Sequence, residues 1–132
     1  MGKSTYVDFV YIEQRIYTRS HSRRRSIEWL NLDDVILMHN DQIRLHGGST
    51  GVRDCGCLEA TNRPQALKYY KPETSVFQLA ACYATLAKAH CFIDGNKRTA
   101  AEMALVFLYL NDYRSTIEQV ALVEIFVEFV IR

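Results

Sequence analysis

The sequence predicts an all-α protein, a compact helical bundle in which two helices meet at a short polar loop. Apolar residues recur at helical spacing from Val76 to Cys91 and again from Asn96 to Leu110. Few segments alternate apolar and polar residues as a half-buried strand does. At 132 residues, the chain is long enough for one core but not for two domains.

Composition limits the classes of function. Apolar residues make up 48% of the chain and charged residues 23%, as in ordinary globular proteins. The formal net charge of +1 argues against general polyanion binding, so direct nucleic-acid binding is not expected. No apolar run reaches the roughly 20 residues of a membrane span, and the first residues lack the apolar block of a signal peptide. A cytoplasmic location without membrane contact is therefore expected.

The four cysteines do not have the spacing of a zinc site. Cys55 and Cys57 are separated by one residue, and no second Cys/His pair complements them. We therefore expect reduced thiols, as is usual in the cytosol.

Residues 1–28 differ from the rest of the chain, and we interpret them as a basic N-terminal extension outside the core fold. Their apolar residues follow neither a strand nor a helix period, and their basic residues include Arg15, Arg19, Arg23, Arg24 and Arg25. Such a patch can contact nucleic acid, but a solvated extension is the favoured interpretation. Residues 29–132 are then the helical domain.

The first helix of that domain is predicted to begin after Asn31, a favourable N-cap followed by two aspartates. The glycines of the stretch from Gly47 to Gly51 end this helix and form a loop. A shorter helix is predicted from Leu58 to Leu67, with Pro64 inside it or at its end.

The helix from Val76 to about Cys91 is the clearest element, and Thr74 or Ser75 can cap it. At about 100° per residue, Val76, Tyr83 and His90 point in nearly one direction. We therefore expect His90 to continue the buried stripe to the end of this helix.

Two further helices are predicted. The first begins at Asn96, ends at Asn111, and carries a stripe formed by Ala100, Met103, Ala104 and Phe107. The second covers Ile117 to Ile131, and its apolar face is more typical of a core contact than of a partner groove.

The stretch from His90 to Arg98, His-Cys-Phe-Ile-Asp-Gly-Asn-Lys-Arg, joins the two best predicted helices. A helix that starts at Asn96 directs free N–H groups and a partial positive charge outward. Because Lys97 and Arg98 are unfavourable in that first turn, an anion is the expected reason for them, and a phosphate group fits. His90 is then placed to act as a general base on an attacking hydroxyl.

Each remaining side chain of the motif has a role in this interpretation. Phe92 is expected to plug the core and anchor the loop. Asp94 either caps the next helix or binds a divalent cation, and both roles hold if Mg²⁺ bridges Asp94 and a nucleotide phosphate. The residues expected to bind phosphate groups are Gly95, Asn96, Lys97 and Arg98, through backbone amides, a side-chain amide and two cations.

The pattern His-x-Phe-x-Asp-Gly-Asn-x-Arg resembles the signature of the Fic/Doc family, and Asn-Lys-Arg-Thr-Ala resembles its Doc (death-on-curing) branch. Flanking segments match that branch in the same order, among them Leu45 to Gly51, Arg53-Asp54, Arg63 to Gln65 and Phe77 to Ala81. The resemblance covers about residues 31–113. It implies the compact helical Fic fold and the same roles for the motif residues.

The resemblance to Doc implies a toxin of a toxin–antitoxin system. Such a toxin transfers the terminal phosphate of ATP, with Mg²⁺, to a protein Ser/Thr hydroxyl and blocks translation. Elongation factor Tu is the target that the resemblance implies, and a small Phd-like antitoxin is the implied partner. No glutamate here is followed by Gly or Asn, so the self-inhibition motif of other Fic proteins is absent.

Two alternatives stay open. Fic adenylyltransferases carry glycine where this chain has Lys97 and arginine where it has Ala101, so both positions follow the Doc pattern. Gly95 instead matches general Fic proteins, so transfer of AMP is the nearest alternative. A non-catalytic helical binding module, whose motif only holds two helices together, is the alternative from another class.

Overall fold

The computed structural model describes residues 17–19, 26–53 and 56–130, and within them it confirms the all-α prediction. The helices are α1 (Leu32–His46), α2 (Arg63–Tyr70), α3 (Val76–Ala84), α4 (Asn96–Leu110) and α5 (Gln119–Ile125). Two 3₁₀ segments, Gly56–Asn62 and Thr85–Ala89, precede α2 and follow α3, and Phe126–Val130 is a π-helical turn after α5. None of the helices in the described ranges is long and apolar enough to cross a membrane.

Helix α4 is the centre of the fold, because α1, α3 and α5 all pack against it. Its predicted stripe is confirmed, since each member is at most 2% exposed: Ala100, Met103, Ala104 and Phe107. From α3, Tyr83 packs its ring 4.9 Å from that of Phe107. Burial raises the pKa of Tyr83 to about 12, and its hydroxyl accepts a hydrogen bond from the Leu30 N–H. The small residues of α4 let its neighbours approach closely.

The predicted N-caps of α1 and α3 are confirmed. The Asn31 Oδ1 accepts from the Asp34 N–H at 2.8 Å, and the Ser75 Oγ accepts from the Gln78 N–H at 3.1 Å. Each cap is worth about 1 kcal/mol of helix stability. Pro64, by contrast, lies in the first turn of α2, where its missing N–H costs no hydrogen bond.

The expectation that His90 continues the buried stripe is wrong. Helix α3 ends at Ala84, and Thr85–Ala89 continues as a 3₁₀ segment. Each 3₁₀ residue turns the chain by roughly 120° rather than about 100°, so the stripe rotates away from the core. His90 follows with φ 53° and ψ 47°, and its side chain is exposed.

A short two-stranded sheet pairs the first described segment with the segment that follows α4. Strand β1 (Tyr17–Arg19) pairs antiparallel with β2 (Tyr113–Ser115), with Tyr17 opposite Ser115. Part of the predicted extension therefore forms structure. Its other basic residues, Arg15 and Arg23 to Arg25, lie outside the described residues, and the boundary between residues 28 and 29 stays a prediction.

The cysteines differ from the expectation of reduced thiols. Cys82 carries a free thiol, but Cys91 is disulfide-bonded, so the expectation is wrong at that position. It rested on the presumed compartment, whereas pairing depends on which cysteines meet in space.

Candidate active site

The loop between Ala89 and α4 forms one wall of an open cleft of about 400 Å³. The structure brings together in its lining the residues predicted for catalysis, metal binding and phosphate binding: His90, Asp94, Gly95, Asn96, Lys97 and Arg98. Sequence reasoning did not assign a role to Arg53, Ile93 or Val127, which also line the cleft. The structure shows that these residues lie close together, and their roles stay predictions.

His90 lines this cleft, and its backbone lies in the left-handed region, with φ 53°. For a residue with a Cβ, that conformation costs roughly 1–2 kcal/mol. Strain of this kind is concentrated at functional sites, where the surrounding structure enforces it. Because the side chain is exposed, the imidazole is accessible from the solvent.

Asn96, the first residue of α4, closes the motif loop with two hydrogen bonds. Its Oδ1 accepts from the Phe92 N–H, and its Nδ2 donates to the Phe92 carbonyl, each at 2.9 Å. Phe92 itself is 4% exposed and part of the core. The amide of Asn96 therefore serves the loop geometry, and a phosphate would have to share its Nδ2.

A second segment lies along the loop and carries Arg53 into the cleft. The Arg53 N–H donates to the Cys91 carbonyl at 2.8 Å, and the Ile93 N–H donates to the Gly51 carbonyl at 3.1 Å. Val52 and Phe92 form the β-bridge between these two bonds. The flanking match at Arg53 was a signal for this position, but no local pattern predicted its pairing with Cys91.

Asp94 is exposed, and its carboxylate is held from two sides. Its Oδ1 accepts from the Gly95 N–H at 2.8 Å, and its Oδ2 accepts from the Ser49 N–H at 3.3 Å. The N-cap of α4 is Gly95, with φ 74° and no side-chain cap, so the capping role considered for Asp94 is not observed. Each carboxylate oxygen accepts one bond and keeps lone-pair capacity for a cation.

Asp94 alone would not complete the ligand set of a metal ion in this cleft. Within the described ranges, no group of three or more His, Cys, Asp or Glu side chains is arranged to hold one. A single exposed carboxylate such as Asp94 fits Mg²⁺, which commonly takes one or two carboxylates together with phosphate oxygens.

Arg98 forms a salt bridge with Glu124 of α5. Its Nη1 donates to the Glu124 Oε1, and its Nη2 lies 3.4 Å from Oε2. The hydrogen bond from Arg98 lowers the pKa of Glu124, and the charges of Arg98 and His46 lower it further. Sequence reasoning missed this pair, because no glutamate has the flanking residues of the self-inhibition motif. Lys97, one position earlier, is exposed at the cleft.

The sequence of this chain is similar to those of known proteins. The sequence model of the Fic/DOC family matches residues 29–108. The chain is 40% identical over 81 residues to the protein kinase doc of Escherichia phage P1, covering 60% of this chain and 64% of that protein. It is 38% identical over 87 residues to Toxin Doc of Mycolicibacterium smegmatis, covering 64% of this chain and 65% of that protein. The chain thus spans just under two thirds of each relative's length.

Proposed function

Because the chain belongs to the Fic/DOC family, we propose that it is a Doc-type toxin that acts as a protein kinase. It transfers the terminal phosphate of ATP to a Ser or Thr hydroxyl of a protein. The observation that carries the proposal is the convergence of His90, the Asp94 carboxylate and the N-terminus of α4 in one open cleft. The similarity to two relatives, one a protein kinase and the other a toxin, supports it.

In this mechanism, the start of α4 holds the phosphate groups. The free N–H groups of its first turn and the Lys97 ammonium supply positive charge. Mg²⁺ bound at Asp94 would neutralise charge on the phosphate oxygens. Because Arg98 is paired with Glu124, a phosphate that binds the guanidinium competes with that carboxylate.

His90 takes the proton from the attacking hydroxyl of the target protein. The hydroxyl oxygen forms a bond to the γ phosphorus while the bond from that phosphorus to the bridging oxygen of ADP breaks. ADP leaves, and the target carries a phosphate ester. A well-placed general base contributes roughly 10²–10⁴-fold to such a step.

The nature of the transferred group depends on positions 97 and 101. Lys97 fills space in the cleft where an adenylyltransferase keeps a glycine. Ala101 is 0% exposed, so this position of α4 faces the core and supplies no second arginine to the cleft. Both features favour placing the terminal phosphate, rather than the α phosphate, beside His90.

The test uses ATP labelled separately at the γ and α phosphorus. Elongation factor Tu is the first target to try, followed by a bacterial lysate. We expect label from the γ position on the target, and loss of roughly 10²–10⁴-fold in the His90→Ala variant, which should still fold. Label from the α position would make the protein an adenylyltransferase. No label, together with a melting temperature that Mg-ATP does not change, would favour the binding module.

The toxin assignment has a separate test in cells. We expect expression in the bacterial cytoplasm to arrest growth, and co-expression of a small Phd-like antitoxin to relieve the arrest. His90→Ala serves as the matched control, because it removes the base without removing the fold. Growth unaffected by the active form would contradict a toxin, even if phosphate transfer is observed.

A further inference from the structure

A buried histidine lies directly beneath the motif loop. His39, in the middle of α1, is 1% exposed, and its Nε2 lies 2.7 Å from the backbone carbonyl oxygen of Asp94. A carbonyl only accepts, so Nε2 must carry the proton and donate it. The two residues are separated by 55 positions in the sequence, so this contact ties α1 to the loop.

The imidazole is also held by its flat face. Its ring stacks on Phe92 with centroids 3.8 Å apart and an interplanar angle of 6°. The stack fixes where the loop lies, and the hydrogen bond fixes how the following peptide group is turned. A Cβ added at Gly95 would come within 3.7 Å of the same imidazole, so α1 packs closely against the first residue before α4.

The peptide group between Asp94 and Gly95 is the point that His39 controls. Its carbonyl accepts from His39, while its N–H donates to the Asp94 carboxylate at 2.8 Å. The loop after α1 holds the same carboxylate through the Ser49 N–H. One helix and its C-terminal loop therefore fix both the backbone and the side chain of Asp94.

We infer that His39 is a positioning residue, a hydrogen-bond donor that sets the Asp94–Gly95 peptide so that the carboxylate and the α4 amides converge on a metal-bound phosphate. This inference rests on the proposed function for its ligand, and on the geometry above for its site. Removing a residue that hydrogen-bonds to a metal-ligating residue typically lowers metal affinity or activity by 10–100-fold.

Two substitutions separate the donor from the ring. His39→Phe keeps a stacking ring and removes the donor, whereas His39→Gln keeps an N–H donor and removes the ring. We expect the Mg²⁺ concentration for half-maximal phosphate transfer to rise about tenfold or more in His39→Phe. His39→Gln should stay within about threefold of the unmodified protein, with both variants folded by circular dichroism. A purely structural histidine would change melting temperature in both variants and the Mg²⁺ requirement in neither.

A second readout needs no turnover. A hydrogen bond to the Asp94 carbonyl polarises the peptide group whose nitrogen belongs to Gly95. The ¹⁵N amide resonance of Gly95 should therefore shift in His39→Phe and return towards its original position in His39→Gln. This measurement decides the role of His39 even if the unmodified protein transfers no phosphate, in which case only the proposed function fails.

Three results would overturn the inference. The first is a folded His39→Phe with unchanged Mg²⁺ requirement and Gly95 resonance. The second is a folded His39→Gln impaired as much as His39→Phe, which would assign the effect to the ring alone. The third is a set of ¹⁵N imidazole shifts, measured on the unmodified protein, that places the proton on Nδ1. The donor role requires the proton on Nε2. This test applies even if His39→Phe does not fold.

Discussion

The two halves of the motif loop are held in different ways. Phe92, the Asp94 carbonyl and Asn96 are fixed by part-buried contacts, namely the two hydrogen bonds between Phe92 and Asn96 and the hydrogen bond from His39. Lys97 and Arg98, one residue later, are held only by exposed contacts or face the solvent. The contacts of Phe92 and Asn96 form the frame of the loop. Lys97 and Arg98 carry charges that can change their partners.

Within the nine residues from His90 to Arg98, different side chains therefore determine stability and ligand binding. Removing a buried, well-packed group lowers the free energy of unfolding by several kcal/mol, whereas removing an exposed ion pair lowers it by about 0–1 kcal/mol. We therefore expect substitutions of Phe92 and Asn96 to change mainly the free energy of unfolding. Substitutions of the charged groups should change mainly the binding of anions.

The largest effect on stability is expected for Phe92→Ala. Removing a side chain that is 4% exposed should lower the free energy of unfolding by about 3–5 kcal/mol. The neighbouring Ile93→Ala is the matched control, because Ile93 is 52% exposed and should cost about 0.5 kcal/mol or less. Urea denaturation of both variants measures the difference. Similar losses in the two would show that the loop is not anchored through Phe92.

A smaller loss is expected for Asn96→Ala. The variant loses two hydrogen bonds and leaves the Phe92 N–H and carbonyl without these partners, which should cost about 2–3 kcal/mol. Lys97→Ala, at an exposed neighbouring position, should leave the unfolding free energy within about 0.5 kcal/mol. If Asn96→Ala is as stable as Lys97→Ala, the frame does not depend on the Asn96 amide.

Gly48→Ala tests the contact between the α1 loop and Asp94. Gly47 and Gly48 both have positive φ, 79° and 117°, so an alanine at either position carries backbone strain of about 1–3 kcal/mol. Only at Gly48 would the Cβ meet a neighbour, the Asp94 Oδ2 at 2.6 Å, whereas nothing lies within 4 Å at Gly47. We expect Gly48→Ala to raise the Mg²⁺ requirement for transfer severalfold beyond Gly47→Ala. Equal Mg²⁺ requirements in the two variants would show that this loop does not position Asp94.

The smallest effect on stability is expected for Glu124→Gln. Its unfolding free energy should change by less than about 1 kcal/mol, because the pair with Arg98 is exposed. Affinity for ATP should rise, since the guanidinium no longer has a competing carboxylate. Glu128→Gln, a nearby exposed glutamate, is the control and should change neither quantity. Unchanged ATP affinity in Glu124→Gln would mean that Arg98 does not contact phosphate.

The same pair has a defined pH dependence. Because the pKa of Glu124 is lowered in the folded protein, the pair stabilises the fold above the free glutamate value of roughly 4.3. The contribution is lost as the pH falls through the lowered pKa. The difference in Tm between the unmodified protein and Glu124→Gln should thus be present at pH 7 and vanish in acid. A difference that grows in acid would contradict the assignment.

Local signals predicted where α1, α3 and α4 begin. Asn31 and Ser75 cap helices because their side chains reach the next turn, and that information lies within four residues of sequence. The clustering of His90 to Arg98 could likewise be predicted, since the residues are adjacent in the chain. The turn from α3 into a 3₁₀ segment could not, because apolar spacing does not distinguish the two periods over five residues.

The parts of the site that were missed depend on distant segments. The clamp by His39 spans 55 positions and the pair between Arg98 and Glu124 spans 26. A lone histidine within an amphipathic helix gives no sign of which carbonyl it will meet. Similarly, Glu124 lies in a segment that gave only a helical pattern. Their roles depend on tertiary packing, which no single segment encodes.

The pairing of β1 with β2 has a consequence for the order of assembly. Tyr17 lies opposite Ser115, and Asn111 bonds to the Glu28 backbone across 83 positions. During synthesis, β1 has no partner until Ser115 has left the ribosome, by which time the segments of α1, α3 and α4 have already been made. Closing so long a loop is slow compared with forming a helix. The start of the described chain is therefore placed only after the segments of α1, α3 and α4 have been made.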